Sequence, residues 1–326
     1  MAQGTVLSHS QASSLIASVG LLVTLLIFQL LILLSSTPAL AAPSHPIRID
    51  GSSTVYPIVE ALAEEYQQEH PEAEITIGVS GTGGGFKKFC AGELDIATAS
   101  RPIQPVERSA CEKGGIAFRE IPIATDAIVV VVHPKNSWAQ CLTTAELRTL
   151  WEPAAQGKLT TWRQLRPDFP DRPVTLYGPG TDSGTFDYFT EAIVGTAKQS
   201  RGDYTASEDD NVLIRGVAGD PGALGYFSMA YYLQNQEQLR AVAIRAVGDN
   251  TACVMPSSDA VKAGNYRPLA RPLFLYVAAP SKTAAAVSAS KGTSEELSRF
   301  VEFATNPERG TLIEELGFVP HGVVGR

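Results

Sequence analysis

Residues 75–90, Ile75-Thr76-Ile77-Gly78-Val79-Ser80-Gly81-Thr82-Gly83-Gly84-Gly85-Phe86-Lys87-Lys88-Phe89-Cys90, decide how the chain is read. Thr76 and Gly78 separate Ile75, Ile77 and Val79 with the period of a strand. The strand then runs into a turn of glycines and hydroxyls, Ser80 to Gly85, and Phe86, Phe89 and Cys90 open a helical face. The same order appears upstream, where Ile47 and Ile49 precede the turn Asp50-Gly51-Ser52-Ser53-Thr54 and Val59, Leu62, Ala63 and Tyr66 keep helical spacing up to His70-Pro71. It appears again downstream: strand Val174-Thr175-Leu176-Tyr177, turn Gly178-Pro179-Gly180-Thr181-Asp182-Ser183-Gly184-Thr185, then Phe186, Phe189 and Ile193. Strands alternating with helices predict an α/β fold.

Working outward, Ile128 to Val132 is an unbroken β-branched run, expected of a buried central strand or of a connection between lobes. Pro272 to Val277 reads as a strand returning to the first lobe, and Thr293 with Glu296 as a capping box ahead of Leu297, Phe300 and Val301. A chain of 326 residues is long enough for two lobes, each burying its own core, with a ligand cleft between them. The lobes expected are 46–130 with 258–326, and 131–257.

The N-terminal stretch stands apart. Leu15 to Leu34 is apolar except for Ser18, Gly20, Thr24 and Gln29, and Pro38 with Ala39-Leu40-Ala41 follows. This order predicts an export signal over residues 1–42, cleaved near Ala41 or Ala42. The run is also long enough to span a bilayer and no Lys or Arg precedes it, so an uncleaved anchor is the alternative. Either way the folded part lies outside the cytoplasm, in the periplasm or an equivalent space.

Composition narrows the function. The chain is 44% hydrophobic and 18% charged, as ordinary globular proteins are. Arg48 is the first charged residue, so the whole net charge of -8 belongs to the exported part. An acidic surface is a poor partner for nucleic acid, and an anion site on it must be local. Cys90, Cys111, Cys141 and Cys253 are an even set in an exported chain, with no C-x-x-C pair, which favours disulfides over metal ligation. Sequence proximity and the lobe assignment favour Cys90 with Cys111 and Cys141 with Cys253. No metal or cofactor is expected.

Four segments carry hydroxyls on backbone that glycine allows to come close: Gly51-Ser52-Ser53-Thr54, Ser80 to Gly85, Ser100-Arg101-Pro102 and Thr181-Asp182-Ser183-Gly184-Thr185. Singly, each could be a helix cap or a tight connection. Together they supply the hydrogen-bond donors that a dehydrated tetrahedral oxyanion requires, with Arg101 as its formal countercharge.

Catalytic readings fit less well. Ser80 to Gly85 lacks the spacing of a P-loop, and Asp182-Ser183-Gly184-Thr185 has no second copy to make an aspartic-protease pair. A secreted serine hydrolase would use Ser183, but Thr181 stands where the nucleophile elbow needs glycine, and of the histidines only His133 and His321 remain, both reading more naturally as structural or exposed residues.

Five stretches jointly carry a resemblance: Asp50 to Pro57, Val79 to Phe89, Asp95 to Pro102, Gly178 to Phe189 and Gly222 to Tyr226. The sequence after Pro46 resembles the periplasmic phosphate-binding proteins of high-affinity phosphate ABC importers. The resemblance implies a two-lobed type II periplasmic binding protein fold with two crossover connections, capture of inorganic phosphate between the lobes, and delivery to a membrane permease by a monomer. By motif it implies phosphate contacts from Ser53, Thr54, Ser80, Thr82, Ser100, Ser183, Gly184 and Thr185. Two features depart from the family's best-studied branch. Its aspartate near Ser100, which accepts the ligand's proton, is missing, and Pro179 stands where it has an arginine. Arg101 then supplies the charge, and Asp182 is the candidate proton acceptor. Another tetrahedral oxyanion, or a phosphate-sensing role, is the alternative within the same fold.

Overall fold

The computed structural model describes residues 46–246, 252–279 and 291–322, so the export segment expected over residues 1–42 lies outside the described residues. The strands are β1 (Ile47–Gly51), β2 (Ile75–Gly78), β3 (Ile96–Ala99), β4 (Phe118–Val132), β5 (Cys141–Thr143), β6 (Thr175–Pro179), β7 (Thr205–Ser207), β8 (Ala223–Ser228), β9 (Arg240–Ala241), β10 (Ala243–Arg245), β11 (Ala270–Ala278) and β12 (Val319–Pro320). Ten of them form one sheet in the order β2-β1-β3-β11-β4-β8-β6-β7, with β12 and β9 added along β4, while β10 and β5 pair separately. β1 is parallel to β2 and β3, and β6 is parallel to β7 and β8. β4 and β11 run antiparallel between these two halves.

β4 explains how one sheet serves two lobes. Phe118 to Ala127 pair with β11, apart from a bulge at Ile123, and Ile128 to Val132 pair with β8. Those last five side chains are fully buried, so the β-branched run is at once a central strand and the connection between halves. The apolar cores divide at the same place. Ile47 through Ala124 and Leu273 through Phe318 feed one side, apart from Ala230, while Ala127 through Leu269 with Val319 feed the other. Trp151, Trp162, Phe189 and Tyr226 anchor that second core; Tyr66, Phe86, Phe300 and Tyr276 lie in the clusters of the first side. Full burial of such a ring contributes about 2–3 kcal/mol each.

The helices that matter for the site are α1 (Tyr56–Glu69), α2 (Gly81–Cys90), α3 (Pro105–Lys113), α4 (Thr144–Trp151), α5 (Gly184–Phe189), α6 (Asp210–Gly219) and α7 (Lys291–Ala304). α1 buries Val59, Leu62, Ala63 and Tyr66, the face its spacing predicted. α3 and α4 start at reciprocal caps, Gln104 with Glu107 and Thr143 with Glu146, which occupy otherwise unpaired amides. Two local expectations are corrected. The glycines after Ser80 are not a turn but the opening of α2, and a Cβ on Gly85 would lie 2.7 Å from the Gly51 Cα. They are there to bring helix and strand together. α7 is already helical at Lys291, two residues before the cap expected at Thr293, and Glu296 instead accepts the Tyr66 hydroxyl at 2.7 Å.

Both disulfides form as paired from the sequence. Cys90–Cys111 ties α2 to α3 with Cα atoms 4.1 Å apart, and Cys141–Cys253 joins β5 to the segment before residue 254 at 6.1 Å. Closing loops of these lengths restricts the unfolded chain.

Candidate ligand-binding site

The segments singled out by sequence all follow the carboxyl ends of parallel strands: β1 for Ser52 to Thr54, β2 for Ser80 to Thr82, β3 for Ser100 and Arg101, β6 for Asp182 to Thr185. In open α/β sheets those ends are where ligands bind. Of the side chains in these segments, Ser52, Ser53, Thr54, Thr82, Ser100, Arg101, Ser183 and Thr185 are buried. Thr54 Oγ1 lies 3.2 Å from Thr185 Oγ1, although one follows β1 and the other starts α5. Thr82 Oγ1 lies 3.3 Å from Ser100 Oγ and accepts the Ser100 amide at 3.2 Å. Gly184 locks the two pairs together: a Cβ there would stand 2.5 Å from Ser100 Oγ and closer still to Thr82 Oγ1. Any side chain at 184 would push the halves apart.

Beneath these hydroxyls is Arg271, on β11 directly opposite Asp126 on β4. Both side chains are fully buried. The guanidinium donates to Asp126 Oδ2 through Nε (3.1 Å) and Nη2 (2.9 Å), and Nη2 also reaches Thr54 Oγ1 at 2.9 Å and Thr185 Oγ1 at 2.8 Å. Asp126 Oδ1 accepts from Ser228 Oγ at 2.8 Å. Burial pushes the Asp126 carboxyl up, against the pull of Arg271. One buried cation therefore touches hydroxyls from both halves of the sheet, the arrangement of a receptor for a small oxyanion.

Residues 36–308 match the family model described as the PBP superfamily domain. The chain is 48% identical over 274 residues to Protein SphX of Synechococcus elongatus, covering 84% of this chain and 77% of that protein. It is 34% identical over 272 residues to the phosphate-binding protein PstS of Staphylococcus epidermidis, covering 83% and 77%. Among solved structures, a possible phosphate binding protein from Planctomyces limnophilus superposes with a TM-score of 0.59 at 42% identity, over 86% of this chain and 94% of that one.

The chain belongs to the periplasmic phosphate-binding protein family.

Within this binding protein the remaining sequence-derived residues take separate places. Ser53 is buried beside Thr54, its carbonyl accepting the Tyr231 hydroxyl at 3.2 Å. Ser183 caps α5 by accepting the Thr185 amide at 3.1 Å. Ser80 is held by Asp50: its amide and Oγ both donate to Asp50 Oδ1, at 2.9 and 2.8 Å. Although burial raises the Asp50 carboxyl, Lys88 and Ser80 outweigh it and hold it low. Asp182 sits at the rim, its carboxylate 3.0 Å from Lys87 Nζ, with side chains 45% and 73% exposed, while its carbonyl accepts the Gly83 amide at 2.9 Å. The structure thus places the proposed proton acceptor at the rim, with its carboxylate engaged by Lys87.

Arg101 is the main departure from the sequence reading. Its Nη1 and Nη2 fork onto Glu107 at 2.8 and 2.7 Å and its Nε donates to Asp187 Oδ2 at 2.7 Å, so its charge is already met twice. The cation that meets the hydroxyls is Arg271, which sequence reasoning missed. Its only signal was an arginine adjoining the apolar strand Pro272 to Val277. Asp126, just ahead of the β-branched run, gave a similar signal. Neither shows its meaning until antiparallel pairing sets them opposite one another.

Proposed function

We propose that this protein captures one inorganic phosphate ion between the two halves of its sheet and hands it to a membrane permease of an ABC importer. The observation that carries this reading is the convergence of Thr54, Thr82, Ser100 and Thr185 hydroxyls over the Arg271 guanidinium. A tetrahedral oxyanion needs several donors in different directions and at least partial charge compensation once dehydrated. Hydroxyls on four separate segments meet the first need, and Arg271, which among the described residues hydrogen-bonds one carboxylate, Asp126, meets the second. Ser53, Ser183 and Gly184 lie in the same segments, and Arg101, next to Ser100, is engaged by Glu107 and Asp187.

The protein acts outside the cytoplasm as a monomer, exported by the segment before Pro46. The 34% identical PstS is a phosphate-binding protein by name, which supports the same ligand here. The serine hydrolase alternative loses its support at Ser183, whose hydroxyl is held by the Thr185 amide and, among the described residues, hydrogen-bonds no histidine.

Calorimetric titration with phosphate and with sulfate tests the reading. Phosphate should bind at one site per chain with sulfate far weaker. Equal binding of both, or of neither, overturns it.

A further inference from the structure

Arg101 and Asp187 belong to opposite halves of the sheet, one following β3 and the other on α5 after β6, yet they meet at 2.7 Å with side chains only 5% and 2% exposed. Arg101 is held from its own side by Glu107 and lies over the Phe86 ring, 5.7 Å from its centroid. Asp187 Oδ1 is buried without a partner, and Lys198 approaches Oδ2 at 3.9 Å. Burial pushes the Asp187 carboxyl up, while Arg101 and Lys198 pull it down.

We infer that the Arg101–Asp187 pair is a latch that holds the two halves closed over the bound ion, and that Asp187 is a positioning residue for ligand retention rather than a ligand contact. An ion pair buried from both sides is weakly stabilising as a whole but costly to break one-sidedly, because the partner left behind keeps its charge in a poor dielectric. Glu107 sets which side is left behind. When the halves part, Arg101 keeps its fork to Glu107, whereas Asp187 loses its close partner and must find water or Lys198. The energetic asymmetry therefore loads the latch onto Asp187. Asp187 is also three residues beyond Gly184 on the same helix, so fixing it against Arg101 holds Gly184 against Ser100 and Thr82. The rim pair Lys87–Asp182 also bridges the halves, but its exposure leaves it little weight.

The inference rests on the phosphate reading above, and the test separates the two. Stopped-flow kinetics and solution scattering would be measured on wild type, Asp187→Asn and Arg101→Lys, with and without phosphate. Asp187→Asn should release phosphate about 10- to 100-fold faster with its association rate changed less than threefold, and its scattering radius should stay larger than wild type's at saturating phosphate. Arg101→Lys cannot fork to Glu107 and reach Asp187 together, so it should show the same split. The double variant should be no faster than the faster single one, and Asp187→Glu should recover part of the retention. Unchanged release in both single variants, or equal losses in association and release, overturns the latch. If wild type binds no phosphate, the functional reading fails instead. The latch is then decided by scattering alone, a more open Asp187→Asn supporting it and an unchanged radius overturning it. If Asp187→Asn does not fold, the Arg101→Lys result decides.

Discussion

Two buried arginines, Arg101 and Arg271, stand close to the same hydroxyls and have opposite situations. Arg101 follows Ser100 in sequence and looks like the ligand's countercharge, but Glu107 and Asp187 already take up its fork. Arg271 lies far from every motif in sequence, yet its guanidinium reaches Thr54 and Thr185 and, among the described residues, hydrogen-bonds one carboxylate, that of Asp126. Proximity in sequence to a binding motif therefore says less about a charge's role than the number of carboxylates that reach it first. A cation saturated by its own protein can hold structure together, and one with hydroxyl partners can exchange them for a ligand.

The largest expected effect is at Arg271. Arg271→Met should weaken phosphate binding by about 100- to 1,000-fold in calorimetric titration, since a buried charge partner is lost and Asp126 is left alone. If Arg101→Met weakens equilibrium binding as much and slows association as well, the contrast between the two arginines breaks down.

Asp210 sharpens the comparison from the stability side. Burial pushes its carboxyl up from 3.8 to about 7 despite the attraction of Arg271. Below about 4 the group is protonated in both folded and unfolded chains and has no effect. Between there and about 7 the unfolded chain has lost the proton and the folded one keeps it, so stability falls as pH rises, and the full penalty is present above about 7. Asp210→Asn should therefore raise the stability at pH 8 by about 2 kcal/mol or more, a gain that shrinks as the pH is lowered to 5 in denaturant unfolding. An equal gain at both pH values would show that the ionised carboxylate is not the cause.

Smaller effects follow at the hydroxyls. Thr82→Val keeps the volume but removes one donor and the acceptor for the Ser100 amide, and should cost about tenfold in phosphate affinity. Asp182→Asn, which breaks only the exposed pair with Lys87, should change affinity less than about twofold and should matter still less in high salt. A large loss there would return Asp182 to the centre of the site.

Much of this was legible in the sequence. Strand and helix periodicities located β1, β2, β6, β11 and α1, because apolar spacing reports which face is buried without reference to distant residues. The hydroxyl turns were found for a similar reason: short polar segments after strands are local signals. The glycine run after Ser80 was read as a turn because composition cannot distinguish glycine that bends the chain from glycine that lets a helix pack closely. The difference lies in what Gly85 would strike, which is Gly51 in another strand.

Local sequence determined the α/β order, the turns that carry the hydroxyls and the acidic background against which any anion site must be local. Tertiary structure alone decided which arginine meets the hydroxyls. Arg271 meets Asp126 through strand pairing across 145 residues, and Arg101 is occupied by an aspartate 86 residues further on. Electrostatic roles depend on distance and burial in space, and neither quantity can be read from the order of residues along the chain.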